Sequence, residues 1–76
     1  MEFFFEGKKY EILIATDDCG VRCELWDLTT NSHLIDIFKN ELLKKIEFHS
    51  TGIPIPFTVL EKVLEHFYSK IGIEFS

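Results

Sequence analysis

Apolar and polar residues alternate along much of the first fifty positions, the period expected of strands whose side chains point to opposite faces. From Lys9 to Thr16, Tyr10, Ile12 and Ile14 fall on one face and Leu13 and Ala15 on the other. From Val21 to Leu28, Val21, Cys23 and Leu25 share one face, and Arg22, Glu24, Trp26 and Leu28 share the opposite one. Gly20 reverses the chain between these two long strands. Residues 2–6 predict a short strand ahead of them, with Glu6-Gly7-Lys8 as the turn. The stretch LTTNSH, 28–33, is loop chemistry centred on Asn31 and Ser32.

His33 to Phe38 predicts a third strand, Lys39-Asn40-Glu41 a turn, and Lys44 to His49 a fourth strand. The run IDIFKNELLKKI also fits a helical period over about three turns. Two strands are preferred, because Asn40 interrupts the run and the β-branched residues precede it. The last element has the period of a helix: Phe57, Leu60, Val63, Leu64, Phe67, Tyr68 and Ile71 recur at steps of three and four. Pro56 suits the first helical position, Thr58 and Glu61 have capping-box spacing, and Gly72 is placed to end the helix. The fold class is therefore α+β. One domain, residues 1–76, forms an antiparallel meander of about four strands, with a fifth short one at the N-terminus. A single C-terminal helix packs on one face, covering Ile12, Ile14, Val21, Cys23, Leu25, Ile46 and Phe48.

That arrangement leaves a second face carrying Leu13, Trp26, Leu28 and Phe38 among Glu11, Glu24 and Arg22. Either it is a contact surface, as apolar area with a charged rim often is, or residues 2–6 or 50–57 fold over it. Charge sharpens the first alternative. Residues 1–31 hold 3 basic and 7 acidic side chains, whereas the whole chain has a net charge of −5. An acidic half repels nucleic acid and attracts a basic partner. Trp26, Glu24, Arg22, Leu13, Asp17, Asp18 and Leu28 are the candidate partner-binding residues.

Candidate chemistry changes little. Cys19 and Cys23, four positions apart along a hairpin, lie about 13 Å from each other if extended, against about 7 Å for a disulfide. A zinc site would need two more ligands, and His33, His49 and His66 are isolated from one another. Asp17 and Asp18 sit where a turn favours aspartate, and neighbours on a strand do not converge as an acid/base pair. No glycine-rich loop precedes a helix. No catalytic, metal or cofactor residues are therefore assigned. Phe3-Phe4-Phe5, flanked by Glu2 and Glu6, does not resemble a signal peptide, and no apolar run approaches the roughly 20 residues of a membrane span. The cytoplasm is the expected compartment.

The segment HLIDIFKNELLKKIEFHS, then a loop ending in Pro56, then FTVLEKVLEHFY resembles small bacterial proteins built as a β-meander followed by one helix. The shared pattern is L-x-E/D-I-F, I-x-F and a helix opened by proline, covering about residues 33–70. Ile55 departs from it, standing where a capping Asp or Ser is expected. The resemblance implies the fold more than the function: some such proteins serve as immunity partners of secreted toxins, and it carries no functional residue over. The non-enzymatic reading rests instead on the absence of any converging nucleophile, base and oxyanion donors. Two functions follow: a protein-binding module presenting an acidic sheet surface to a basic partner, or a homodimer formed through the same face.

Overall fold

The computed structural model describes residues 1–76. Five strands form one antiparallel sheet in sequence order: β1 (Glu2–Phe5), β2 (Lys8–Asp17), β3 (Gly20–Asp27), β4 (Ser32–Asn40) and β5 (Lys45–Ser50); the helix α1 (Phe57–Lys70) follows. Residues 33–49 are thus two strands and a turn. The turn begins two residues later than the sequence suggests, at Glu41, because Lys39 and Asn40 extend β4 and the Asn40 Oδ1 accepts the Leu43 N–H at 3.0 Å. Each hairpin has a local cause. Glu6 and Gly7 both take positive φ, as a two-residue type I′ turn requires. Asp17 Oδ1 accepts the N–H groups of Cys19 and Gly20 at 2.8 and 3.0 Å, closing the β2–β3 turn.

The core lies between α1 and one sheet face. Ile12, Leu25 and Ile35 form one row across β2, β3 and β4, and Cys23 and Ile37 begin the next. Val59, Val63 and Phe67, four apart on α1, close over them, and all eight are buried. Each such side chain contributes about 1.5–3 kcal/mol by leaving water. The helical stripe is rotated from the expected one. Val59 is central to it, whereas Phe57 and Tyr68 are exposed. Pro56 is the N-cap itself, no side chain caps the first turn, and Gly72 at φ 77 ends the helix.

The helix does not cover the whole face. A helix is about 10 Å across while five strands span about 19 Å, and α1 packs on the central strand β3. Ile14 and Phe48, at the two ends of the Cys23–Ile37 row, therefore remain 43% and 58% exposed. Val21 is half-buried and Ile46 packs at the margin of the core. The tail beyond the helix shields one end of the face: Phe75 lies under Lys39 and Lys44, and Lys44 Nζ donates to the Ser76 carbonyl at 2.7 Å.

β4 departs from regular alternation. Leu25 pairs with Ile35, but Trp26 pairs with His33, so Leu34 is the extra residue of a β-bulge. Leu34 turns into the core, and His33 is thrown to the opposite face.

A Cβ on Gly20 would run into the Lys39 carbonyl oxygen of the neighbouring strand. Gly20→Ala should therefore cost about 1–3 kcal/mol, as overpacking does, seen as a lower denaturant midpoint; an unchanged midpoint would refute the close approach. Asp27 gives a second prediction. Burial alone would raise its carboxyl, but the N–H groups of Thr29 and Thr30 and the Lys8 ammonium overcome this and hold it below 3.8. A carboxyl depressed by folding stabilises fully above its unfolded pKa, and that stability disappears as pH falls through the folded value. Unfolding free energy should fall as pH drops from about 4 toward 2, with a flatter slope in Asp27→Asn. Equal slopes would remove Asp27 as the cause.

Candidate functional site

The sheet face turned away from α1 has no layer above it. β1 does not fold over it but extends the sheet in its own plane, pairing with β2 from Glu2↔Glu11 to Phe5↔Lys8. Phe3 and Phe5 pack against the core, while Phe4 points to the free face. The 51–56 segment stays on the helix side, where Ile55 joins the core.

At the centre of this free face stands Asp36, only 7% exposed although nothing covers the strand. Three basic groups enclose its carboxylate. Arg22 Nη1 donates to Oδ1 at 3.4 Å, His49 Nδ1 donates to Oδ1 at 2.9 Å, and His33 Nε2 lies 3.7 Å from Oδ2. Register explains the convergence. Asp36 pairs with Glu24 on one side and His49 on the other; Arg22 is two residues from Glu24, and the bulge brings His33 onto the same face. The Arg22 guanidinium lies 3.9 Å above the Phe38 ring, burying it, and reaches Asp17 at 3.9 Å. Trp26 stacks on His33 at 5.0 Å. His33 Nε2 also donates to the Ile35 carbonyl at 3.1 Å, and His49 Nε2 is 3.5 Å from Glu47. Both nitrogens of His49 therefore meet carboxylates. Its neighbour Glu47 is held below the usual carboxylate range chiefly by the hydrogen bond and charge of Lys45, with His49 adding to them.

Beside this cluster β2 and β3 build a checkerboard. Glu11 pairs with Trp26 and Leu13 with Glu24, so the apolar side chains occupy one diagonal and the carboxylates the other. The Trp26 indole N–H donates to Glu24 at 3.1 Å. Leu13 is 40% exposed. The cations of this face are already committed: Lys9 to Glu2 at 2.9 Å, Arg22 to Asp36, and Lys45 to Glu47 at 3.1 Å. Glu11 and Glu24 make no ion pair.

Of the residues singled out from sequence, Trp26, Glu24, Arg22 and Leu13 come together here. Asp17 belongs to the hairpin turn and only its second oxygen faces Arg22. Asp18 is at the exposed tip and makes no ion pair. Leu28 lies one residue past β3, its N–H bound to the Lys9 carbonyl, at the far end of the sheet from Asp17. Asp36, His33 and His49 were missed, since regular alternation separates His33 from Asp36. The signal available was Leu34-Ile35, two adjacent apolar residues in an otherwise alternating strand. Neither cysteine takes part. Both are free thiols, and burial pushes Cys23 up to about 11, which leaves it protonated and unreactive at neutral pH.

Removing the Asp36 carboxylate leaves Arg22 and His49 without their acceptor. Asp36→Ala should destabilise the fold by about 1–3 kcal/mol, whereas Glu11→Gln should stay within about 0.5 kcal/mol. Comparable losses for both variants in chemical denaturation would deny Asp36 its central place.

No helix of this chain is long and apolar enough to cross a membrane. The chain matches no protein-family model, no curated protein and no solved structure.

Proposed function

We propose that this chain is a non-catalytic protein-binding module whose uncovered sheet face takes a basic partner, in the manner of an inhibitor or immunity-type protein. The observation that carries the reading is the checkerboard of Glu11, Leu13, Glu24 and Trp26. Its two carboxylates lack a cation from their own chain, while every cation of the same face is already engaged. A lysine or arginine from a partner fits between Glu11 and Glu24 with its aliphatic stem along Leu13 and Trp26, where an aromatic anchor concentrates binding energy. The Asp36 cluster acts as a brace. It holds Arg22 flat over Phe38, so this cation does not compete for the acidic positions. Two free thiols, one buried, suit a reducing compartment such as the cytoplasm.

The experiment is capture from the source lysate, comparing the wild type with Glu11→Gln/Glu24→Gln and with Trp26→Ala. A basic protein should be retained at comparable stoichiometry and released at high salt. Each variant should bind it at least about tenfold more weakly, a loss of about 1.4 kcal/mol, while keeping the wild-type circular dichroism. Equal retention by the double variant would exclude the checkerboard as the contact.

A further inference from the structure

Self-association has a better route than the uncovered face. We infer that two copies of this chain pair antiparallel through the free edge of β5, with Phe48 on the two-fold axis. The inference does not depend on the basic-partner reading.

The backbone provides the first argument. The Thr51 N–H donates to the Leu34 carbonyl, and hydrogen-bonded pairs alternate along an antiparallel ladder. The odd residues Lys45, Glu47 and His49 therefore bond to β4, opposite Asn40, Phe38 and Asp36. The N–H and C=O groups of Ile46, Phe48 and Ser50 point outward, without a neighbouring strand. Natural sheets blunt such edges by shortening, prolines, bulges or charged side chains; the charged Lys45 and Glu47 of β5 are paired with each other at 3.1 Å. The other edge, β1, is only four residues long. β5 has six residues, no proline and a regular register with β4.

The side chains specify the occupant and its register. A two-fold axis normal to the sheet pairs residues whose numbers have an even sum, so that like faces adjoin. With Phe48 opposite Phe48, Ile46 faces Ser50 and Glu47 faces His49, twice, on the uncovered face. Five residues of each strand overlap, and all of them belong to β5. Moving the axis to residue 47 sets Glu47 on Glu47 and Lys45 on His49; moving it to 49 sets His49 on His49. Moving it to 46 joins Lys45 to Glu47 but overlaps only three β5 residues of each strand, so the Phe48 register alone combines unlike charged partners with a five-residue overlap. On the helix side, Phe48 borders an apolar groove of about 290 Å³ lined by Ile46, Leu64, Tyr68 and Ile73. Tyr68 and Ile73 are themselves more than half exposed. The two-fold axis joins the groove of each copy into one strip across the join, adding apolar burial to backbone pairing.

Sedimentation velocity tests this directly. The wild type should move from 8.9 kDa toward twice that mass at concentrations up to about 1 mM, where even weak pairing is populated. Phe48→Lys should stay monomeric with an unchanged circular dichroism spectrum. A wild type that remains monomeric throughout overturns the inference, as does a dimer that survives Phe48→Lys. Register is read by oxidation in a Cys19→Ser background. Phe48→Cys should form a covalent dimer, whereas Leu42→Cys, on the equally exposed β4–β5 turn, should not. Cross-linking through Leu42→Cys alone would likewise overturn the assignment.

Discussion

One extra residue in β4 governs the two faces of this sheet. Without the bulge opposite Trp26, strict alternation would send His33 toward the helix and Leu34 to the uncovered side. With it, Leu34 joins the core and His33 reaches Asp36 and the Trp26 ring. The apolar layer gains a leucine, and the opposite layer gains a basic group where a carboxylate is buried. Bulges re-aim side chains in this way at a small cost in ladder hydrogen bonds. Here the displaced residue stabilises both layers at once.

A buried carboxylate on a face with no covering layer needs its own justification. Desolvating Asp36 is tolerable because Arg22 and His49 donate to it and His33 stands beside it; no buried side-chain nitrogen or oxygen in the protein lacks a partner. The cluster also pins register. Arg22, Asp36 and His49 come from three consecutive strands, and a one-residue slip of β4 would put Asp36 against the helix. The polar network thus enforces what the apolar rows alone would leave negotiable, a specificity role well attested for some buried polar groups.

Much of the fold was legible because strand and helix periods differ. The pairs Ile12/Leu25 and Leu13/Glu24 fall on opposite faces by simple alternation, and the sheet places them so. Two things escaped for geometric reasons. The first was the bulge, because a one-residue change of phase is local and Leu34-Ile35 reads equally as a buried strand. The second was coverage. Alternation shows which sheet face the helix packs on but not how far it reaches across it; a helix only about 10 Å across leaves Ile14 and Phe48, on the same face, outside the core. Of the candidate site, the β2–β3 checkerboard was readable from sequence. The Asp36 cluster was not, since it joins residues from three strands and needs the register of all of them.

The uncovered face and the β5 edge are physically independent, which bears on how the protein would work. A two-fold axis normal to the sheet leaves both uncovered faces pointing the same way, and neither checkerboard lies at β5. Dimerisation by this route would therefore present two acidic, aromatic sites side by side on one continuous ten-stranded sheet, with neither occluded. A partner carrying two basic segments would meet the second site at the high effective concentration set by the fixed spacing, so avidity would rise without any new contact. A homodimer through the uncovered face would instead bury Leu13 and Trp26 and remove them from any partner. The same charge pattern also opposes that second arrangement. Packing two acidic checkerboards together would bring Glu11 and Glu24 of each copy against like charges with no free cation to separate them. At β5, by contrast, the Phe48 register sets Glu47 beside His49 and Ile46 beside Ser50 and puts no two carboxylates against each other, so like-charge repulsion opposes the face and not the edge as the place where two copies meet.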